Sequence, residues 1–283
     1  MEIENILITG SGGFIGKNLK KYFENKYKIL SPRSFELDLV DKSSVRTYFK
    51  NNKIDFIIHS ASVGGVRNRE DEPETQAKNL KMFENLVEAR GKNVPIITFS
   101  SGAMYDKSRN LHKVKEEEIG NFEPKDLYGK SKLEIAKIVE KTENALCLNI
   151  FACYGYLEKE TRFPSYAIRQ NLKKEEIIIE NNSIFDYLFI EDLEKIVEHF
   201  ILHWTDKKII NITPDASSSM LDIAEAINKI STHSVKISVL NSKLGFEYTG
   251  DNSKLRQEIP NFEFTKLETG LKKLFEYIKE TKN

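Results

Sequence analysis

The chain has 283 residues, 40 % of them hydrophobic, enough to bury a sizeable core in one large or two modest domains. Its 43 basic residues balance 43 acidic ones, so no long-range field draws it to nucleic acid or to an anionic membrane, and an anionic ligand must be gripped locally. No stretch approaches the roughly 20 apolar residues of a membrane span, and the start "MEIENILITG" is unlike a secretion signal, so a cytoplasmic protein is expected.

In chain order, the apolar run "NILITG" is followed by a helix-like stretch from Lys17 to Asn25, the run "YKILSP" by one from Asp41 to Asn51, and "DFIIHSAS" by one from Glu74 to Arg90. "VPIITFSS" precedes a helix pattern from Tyr128 to Glu143, and "ALCLNIFA" comes after it. Strand-like runs alternating with helix-period stretches predict an α/β fold, a doubly wound parallel sheet (Rossmann type) over residues 1–155. Cys147 and Cys153 lie in or beside the last run and are read as packing residues, too few for a disulfide framework. The five His are scattered without ligand spacing, so no metal is expected.

Past Gly155 the rhythm breaks. Helices are predicted at Phe163–Lys174, Glu191–His203, Met220–Ser231 and Leu267–Lys279, with strands at Glu176–Glu180, "KKIINIT" and "SVKISVL". Residues 156–283 are expected to form a smaller α/β substrate lobe, with 176–205 returning to the first domain.

The stretch "TGSGGFIGKNL" places Gly10, Gly13 and Gly16 between a strand and a helix. Glycines there let backbone amides approach a pyrophosphate, and the helix N-terminus adds partial positive charge, so a dinucleotide is the expected ligand. The spacing is G-x-x-G-x-x-G with Gly12 extra, and the alternative is a bare tight turn. An NAD site presents an acid to the adenosine ribose about 20 residues on. Here "ILSPRSFELDL" offers Ser31 and Arg33, and a guanidinium suits a 2′-phosphate, so NADP is favoured with NAD as the alternative. Arg33 as a solvated loop charge remains open, as does Asp38 as either an adenine contact or a helix start.

In "DLYGKSKLE", Tyr128 and Lys132 stand four residues apart at the start of a helix, hence on one face. A phenol titrates near 10 unless a neighbouring cation stabilises its phenolate, so the pair can form an acid/base. Ser101 ends the strand "VPIITFSS", where open α/β sheets bind ligands, and its hydroxyl can hydrogen-bond a substrate oxygen. The helix patterns at Glu74–Arg90 and Tyr128–Glu143 either pair two subunits or simply cover the sheet.

"TGSGGFIG", "IIHSAS", "FSSGAMY", "YGKSK" and "FDYLFIEDL", in this order, resemble the extended short-chain dehydrogenase/reductases that act on nucleotide sugars. The resemblance implies Tyr128 as catalytic acid/base, Lys132 as the residue that holds the nicotinamide ribose and tunes Tyr128, and Ser101 on the reacting oxygen. It implies a cofactor set of Gly10, Gly13, Phe14, Ile15 and Gly16, then Arg33, Asp38 and Leu39, then Ala61, Ser62 and Asn79, with Tyr128 and Lys132. A homodimer is the usual assembly of the relatives.

Dehydratases of this family carry an Asp-Glu pair after the catalytic hydroxyl, where this chain has Gly102 and Ala103, so removal of water has no agent. Epimerase-reductases that make GDP-fucose resemble one another in a Cys and a His, positions filled here by Ala103 and Tyr166. Hydride transfer alone is left. The expected activity is NADPH-dependent reduction of the C4 ketone of a nucleotide-linked 4-keto-deoxy sugar or heptose for a surface polysaccharide, as in the branch containing CDP-abequose synthase and GDP-fucose synthase. The alternatives are an NAD-dependent 4-epimerase and a non-catalytic NADP-binding regulator. Phe185 stands where relatives often carry a diphosphate-gripping Arg, and Ala152 where they carry an Asn. Gly102, Ala103, Arg169 and Arg256 are the expected substrate contacts, and His59 is expected to be packed or cofactor-side, not a base.

Overall fold

The computed structural model describes residues 3–65 and 70–281, with the backbone alone at 242–244. Val66 to Asn68, in the "SASVGGVRN" stretch, lie outside the described residues. The chain opens with β1 (Asn5–Thr9), α1 (Phe14–Phe23), β2 (Lys28–Leu30), α2 (Lys42–Asn51), β3 (Phe56–His59), α3 (Thr75–Ala89) and β4 (Ile96–Ser101). Then come β5 (Leu111–Val114), α4 (Leu127–Glu140), β6 (Ala145–Ile150), β7 (Ala152–Tyr154), α5 (Phe163–Lys173), β8 (Ile177–Phe185), β9 (Tyr187–Phe189), α6 (Ile190–Leu202) and β10 (Ile209–Ile212). It closes with β11 (Ser218–Ser219), α7 (Met220–Ile230), β12 (Ile237–Gly250), α8 (Ser253–Glu258) and α9 (Leu267–Thr281).

Two compact units result, one from 1–108, 115–150 and 197–211, the other from 109–114, 151–196 and 212–283. The first unit holds a six-stranded sheet in the order β10-β6-β4-β3-β1-β2, and the β1–β2, β1–β3, β3–β4 and β4–β6 pairs are all parallel. Its strands are continuous apolar runs because both faces are covered: Ile6, Leu7, Ile8, Phe56, Ile57, Ile58, Leu146 and Leu148 are fully buried. Each such side chain contributes about 1.5–3 kcal/mol over an exposed one. The covering faces are amphipathic, with Met82, Phe83 and Leu86 buried on α3 and Leu133, Ile135, Ala136 and Val139 on α4. Asp41 starts α2 by accepting from the Ser43 amide at 2.9 Å. From β1 the strand order runs one way to β2 and the other way to β3, so the chain parts at the carboxyl ends of β1 and β3, where such sheets leave a crevice.

The second unit contains a four-stranded sheet, β11-β8-β12-β5, and a two-stranded one, β7-β9. Helices α5, α7 and α9 pack on one another, and α7 starts with a capping box between Ser219 and Asp222.

Several boundaries differ from those expected. The segment that returns to the first unit is 197–211, not 176–205, because β8 pairs with β12 and β11 inside the second unit. The break between units falls after Ile150, not at 155. Helix α1 begins at Phe14, not Lys17, since the glycine loop itself supplies the N-cap at Gly13. Strand β12 runs 14 residues, well past "SVKISVL", because bulges let it keep its pairing with β8 across Gly245. Among the described residues no helix is long and apolar enough to cross a membrane.

Candidate active site

The glycine loop joins β1 to α1 at the crevice. Gly10 has φ +71°, and a Cβ there would lie 2.4 Å from the Ala61 nitrogen, so the loop passes directly against the turn after β3. A Cβ on Gly16 would lie 2.3 Å from the Gly10 carbonyl oxygen, which explains why α1 can start so close to the strand. The Gly13 amide donates to the Gly10 carbonyl at 2.9 Å, and Gly13 offers no side-chain cap to α1. A helix start without a side-chain cap, built from glycines and followed by half-buried Phe14 and Ile15, is a cradle suited to a diphosphate.

Beyond β2, Arg33 is exposed and its guanidinium lies beside the loop, its Nη1 3.9 Å from where a Cβ on Gly12 would sit. A turn holds its backbone: the Arg33 amide donates to Glu36 Oε2 at 2.7 Å, and the Arg33 carbonyl accepts from Glu36 and Leu37. Asp38 is exposed, and its Oδ1 accepts from the Val40 amide at 2.9 Å, which gives that carboxylate a local turn to hold. Leu39 is 8 % exposed and belongs to the core, with its carbonyl accepting from Asn85.

Ser101 ends β4, and its Oγ accepts from the Ala103 amide at 3.3 Å, starting a 3-10 turn over Gly102–Tyr105 in which Gly102 and Ala103 are buried. Helix α4 begins at Asp126, whose Oδ1 accepts from the Gly129 amide at 2.9 Å. Gly129 lets α4 press on the 3-10 turn, since a Cβ there would meet the Ala103 carbonyl oxygen at 2.8 Å. Tyr128 on the first turn is half-buried and Lys132, one turn on, is buried. The Lys132 Nζ donates to the Phe99 carbonyl at 2.9 Å and stands 5.3 Å from the centroid of the Tyr128 ring. The cation and the phenol therefore share one face, as the four-residue spacing requires.

Asn79 is 2 % exposed and holds the loop after β3. Its Oδ1 accepts from the Val63 amide at 2.9 Å, and its Nδ2 donates to the Val63 carbonyl at 3.0 Å and to Ser131 Oγ at 3.2 Å. Ser131 Oγ donates to the Tyr128 carbonyl at 2.7 Å. Asn79 thus ties the Ala61–Ser62 turn to the helix that carries Tyr128, and its amide group is engaged within the protein.

His59 is buried and paired with Thr9 Oγ1 at 2.8 Å. Burial, with the Lys132 ammonium nearby, pushes its imidazole from 6.5 down to about 3, so near neutral pH it carries no charge to compete with Lys132. The unfolded chain takes up this proton at about 6.5 and the folded one does not. Stability should therefore fall as pH drops from about 6.5 toward 3, by roughly 3–5 kcal/mol from this residue. In urea titrations across that range, His59→Asn should show a flatter decline than the wild type; equal slopes would count against it. Burial likewise pushes the Cys147 thiol up to about 12, so it is a packing residue and not a nucleophile.

The remaining expected contacts belong to the second unit. Arg256 grips Asp215 through Nε at 3.0 Å and through Nη2, donates from Nη1 to the Phe262 carbonyl, and lies 4.8 Å from the Phe264 ring centroid. These contacts hold the guanidinium of the expected substrate contact Arg256 within its own unit. Arg169 pairs with Glu160 at 3.0 Å, and its Nε is buried with no hydrogen-bond partner. Phe185 stacks with Tyr187 and Tyr248 at centroid distances of 5.6 and 5.9 Å, and the Tyr166 hydroxyl accepts from the Ile178 amide at 3.2 Å. Among the described residues, no group of three or more His, Cys, Asp or Glu is placed to hold a metal ion.

A family model described as "NAD dependent epimerase/dehydratase family" matches residues 6–213, from β1 to just past β10, and so spans the glycine loop, Ser101, Tyr128 and Lys132. The chain belongs to the NAD dependent epimerase/dehydratase family. Among curated relatives it is similar to GDP-L-colitose synthase of Yersinia pseudotuberculosis, 38 % identical over 107 residues, which is 36 % of this chain and 35 % of that protein. That match spans about a third of the relative's length. A full-length match is GDP-6-deoxy-D-talose 4-dehydrogenase of Aggregatibacter actinomycetemcomitans, 24 % identical over 302 residues, covering 95 % of this chain and 96 % of the relative. The GDP-mannoheptose C4 reductase of Campylobacter jejuni, solved with NADP bound, shares the fold at TM-score 0.82 and 20 % identity, covering 99 % of each chain. Members of this family form a group of NAD(P)-dependent oxidoreductases and epimerases, which a glycine loop after the first strand and the paired Tyr128 and Lys132 fit.

Two residues beside the epimerase/dehydratase-family site escape a reading of the sequence. Asp71 accepts from the Tyr128 amide, yet it sits in the acidic run "REDEPE" and looks like a solvated charge. Gly65 packs on the Tyr128 ring, and only its doubling with Gly64 marked it.

Proposed function

We propose that this chain reduces the C4 ketone of a nucleotide-linked 4-keto-deoxy sugar or heptose with NADPH, acting as a cytoplasmic homodimer in the making of a surface polysaccharide. The observation that carries the proposal is one helix face presenting Tyr128 and Lys132, on a helix that Gly129 presses against the turn started by Ser101, with Gly102 and Ala103 as the next residues of that turn. The glycine cradle of Gly10, Gly13 and Gly16 would hold the cofactor diphosphate and Arg33 its 2′-phosphate. NADPH, when bound, supplies the hydride that C4 receives.

The chain's own residues do the rest. The Tyr128 hydroxyl gives its proton to the C4 oxygen as negative charge develops there, and the Ser101 hydroxyl orients that oxygen. The Lys132 ammonium stabilises the phenolate left on Tyr128 until a proton returns from solvent. Gly102 has no side chain and Ala103 only a methyl, so neither can abstract a neighbouring C–H or expel water, which favours simple reduction over dehydration.

The test is to supply GDP-, CDP- and dTDP-linked 4-keto sugars with NADPH and follow the near-ultraviolet absorbance of the reduced cofactor. Stoichiometric consumption with formation of the 4-hydroxy sugar is expected; redox-neutral interconversion of two sugars would indicate the epimerase instead. Arg33→Ala should raise the NADP dissociation constant about 10- to 100-fold and leave NAD unchanged, because a charged hydrogen bond to phosphate is worth about 1.5–3 kcal/mol. Equal affinities by calorimetry would remove Arg33 from the site.

A further inference from the structure

We infer that Asp71 and Gly65 form a brace that fixes the ring of Tyr128, making Asp71 a positioning residue for the proton transfer; the inference rests on the reductase assignment above. The two carboxylate oxygens of Asp71 are divided between two backbone donors. Oδ1 accepts from the Gly65 amide at 2.7 Å and Oδ2 from the Tyr128 amide at 2.9 Å. One side chain thereby ties the loop after β3 to the second residue of α4, where backbone N–H groups lack helical partners.

Gly65 completes the brace by contact. Its φ is +66°, and a Cβ there would lie 2.8 Å from Tyr128 Cδ2 and 2.9 Å from Cε2 and Cγ, so the bare backbone lies against one side of the ring. Gly64, at φ +82°, would place a Cβ 2.6 Å from Asp71 Oδ1. Two left-handed residues in succession carry the loop between the carboxylate and the phenol, a path that L side chains resist on both steric and conformational grounds.

Tyr128 is held from its other end as well. Ser131 donates to its carbonyl while Asn79 fastens both Ser131 and Val63, so the loop is pinned on either side of Gly64. A tyrosine on the first turn of a helix keeps two free side-chain torsions unless neighbours restrict them, and proton transfer needs the hydroxyl held within a few tenths of an ångström of its line of approach. The brace acts on the backbone amide and the ring carbons of Tyr128 and so restricts those torsions.

The experiment uses the full chain labelled with 3-fluorotyrosine, in which the spectrum of Tyr128→Phe identifies the Tyr128 fluorine resonance. Asp71→Asn, which keeps one acceptor and turns the other into a donor, and Gly65→Ala should each shift or broaden that resonance while the other tyrosines stay in place. With a 4-keto sugar nucleotide, kcat should fall about 10²-fold in Gly65→Ala and about tenfold in Asp71→Asn, with KM and NADP affinity unchanged. An unmoved Tyr128 resonance in both folded variants, or losses confined to melting temperature or KM, would overturn the brace. If the wild type turns over no 4-keto sugar, the reductase assignment falls, while the fluorine spectra still decide the brace on their own.

Discussion

Tyr128→Phe is expected to lower kcat for ketone reduction by about 10²- to 10⁴-fold while leaving NADP binding within about twofold of the wild type. The substitution removes one oxygen and keeps the ring, so the packing of Gly65 against it and the two backbone hydrogen bonds at residue 128 persist. What disappears is the hydroxyl on the helix face shared with Lys132, whose ammonium stays bonded to the Phe99 carbonyl. Steady-state kinetics with paired calorimetric titration of the cofactor separate the two effects. A variant that keeps more than a tenth of wild-type turnover would move the proton to another group, and one that loses cofactor affinity as well would make Tyr128 a binding residue.

Gly10→Ala should destabilise the protein by about 2–5 kcal/mol and abolish measurable dinucleotide binding. Two costs combine: a left-handed backbone that disfavours any Cβ by about 1–2 kcal/mol, and overpacking of about 1–3 kcal/mol. Here the clash is with backbone, the nitrogen of Ala61 at 2.4 Å, which cannot rotate away as a side-chain tip would. Opening the gap between the ends of β1 and β3 would also displace Gly13 and the start of α1, since Gly13 bonds to the Gly10 carbonyl. Urea midpoints and cofactor titration check both halves. By contrast Gly12→Ala, with the flexible Arg33 guanidinium alone among the described residues within 4 Å, should leave stability within about 0.5 kcal/mol. Equal stabilities for the Gly10 and Gly12 variants would sink the close-approach account.

The first unit was largely legible in the sequence because its signals are local. A short apolar run such as "NILIT" or "FIIH" suits a strand buried on both faces, and Asp41 before "KSSVRTYF" can cap the helix that follows. The second unit was read less well. "IIIENNSIF" and "ISVLNSKLGFEYTG" carry glycine, asparagine and lysine that argue against long strands, yet β8 and β12 pair across them because the bulges absorb the register shifts. Arg256 reads as an exposed charge until Asp215, 41 residues away, is seen to hold it.

By itself, the sequence determined the alternation of strands and helices, the glycine cradle and the placement of Tyr128 and Lys132 on one helix face, since each depends on residues a few positions apart whose geometry the backbone period sets. Only the tertiary structure decided which acid steadies Tyr128. Asp71 lies 57 residues from it, inside a run of carboxylates that are alike until the fold turns one of them onto two amides. A hydrogen bond across that separation leaves no periodic trace in the chain, because its partners meet through the packing of α3 and α4 on the sheet and not through any local rule.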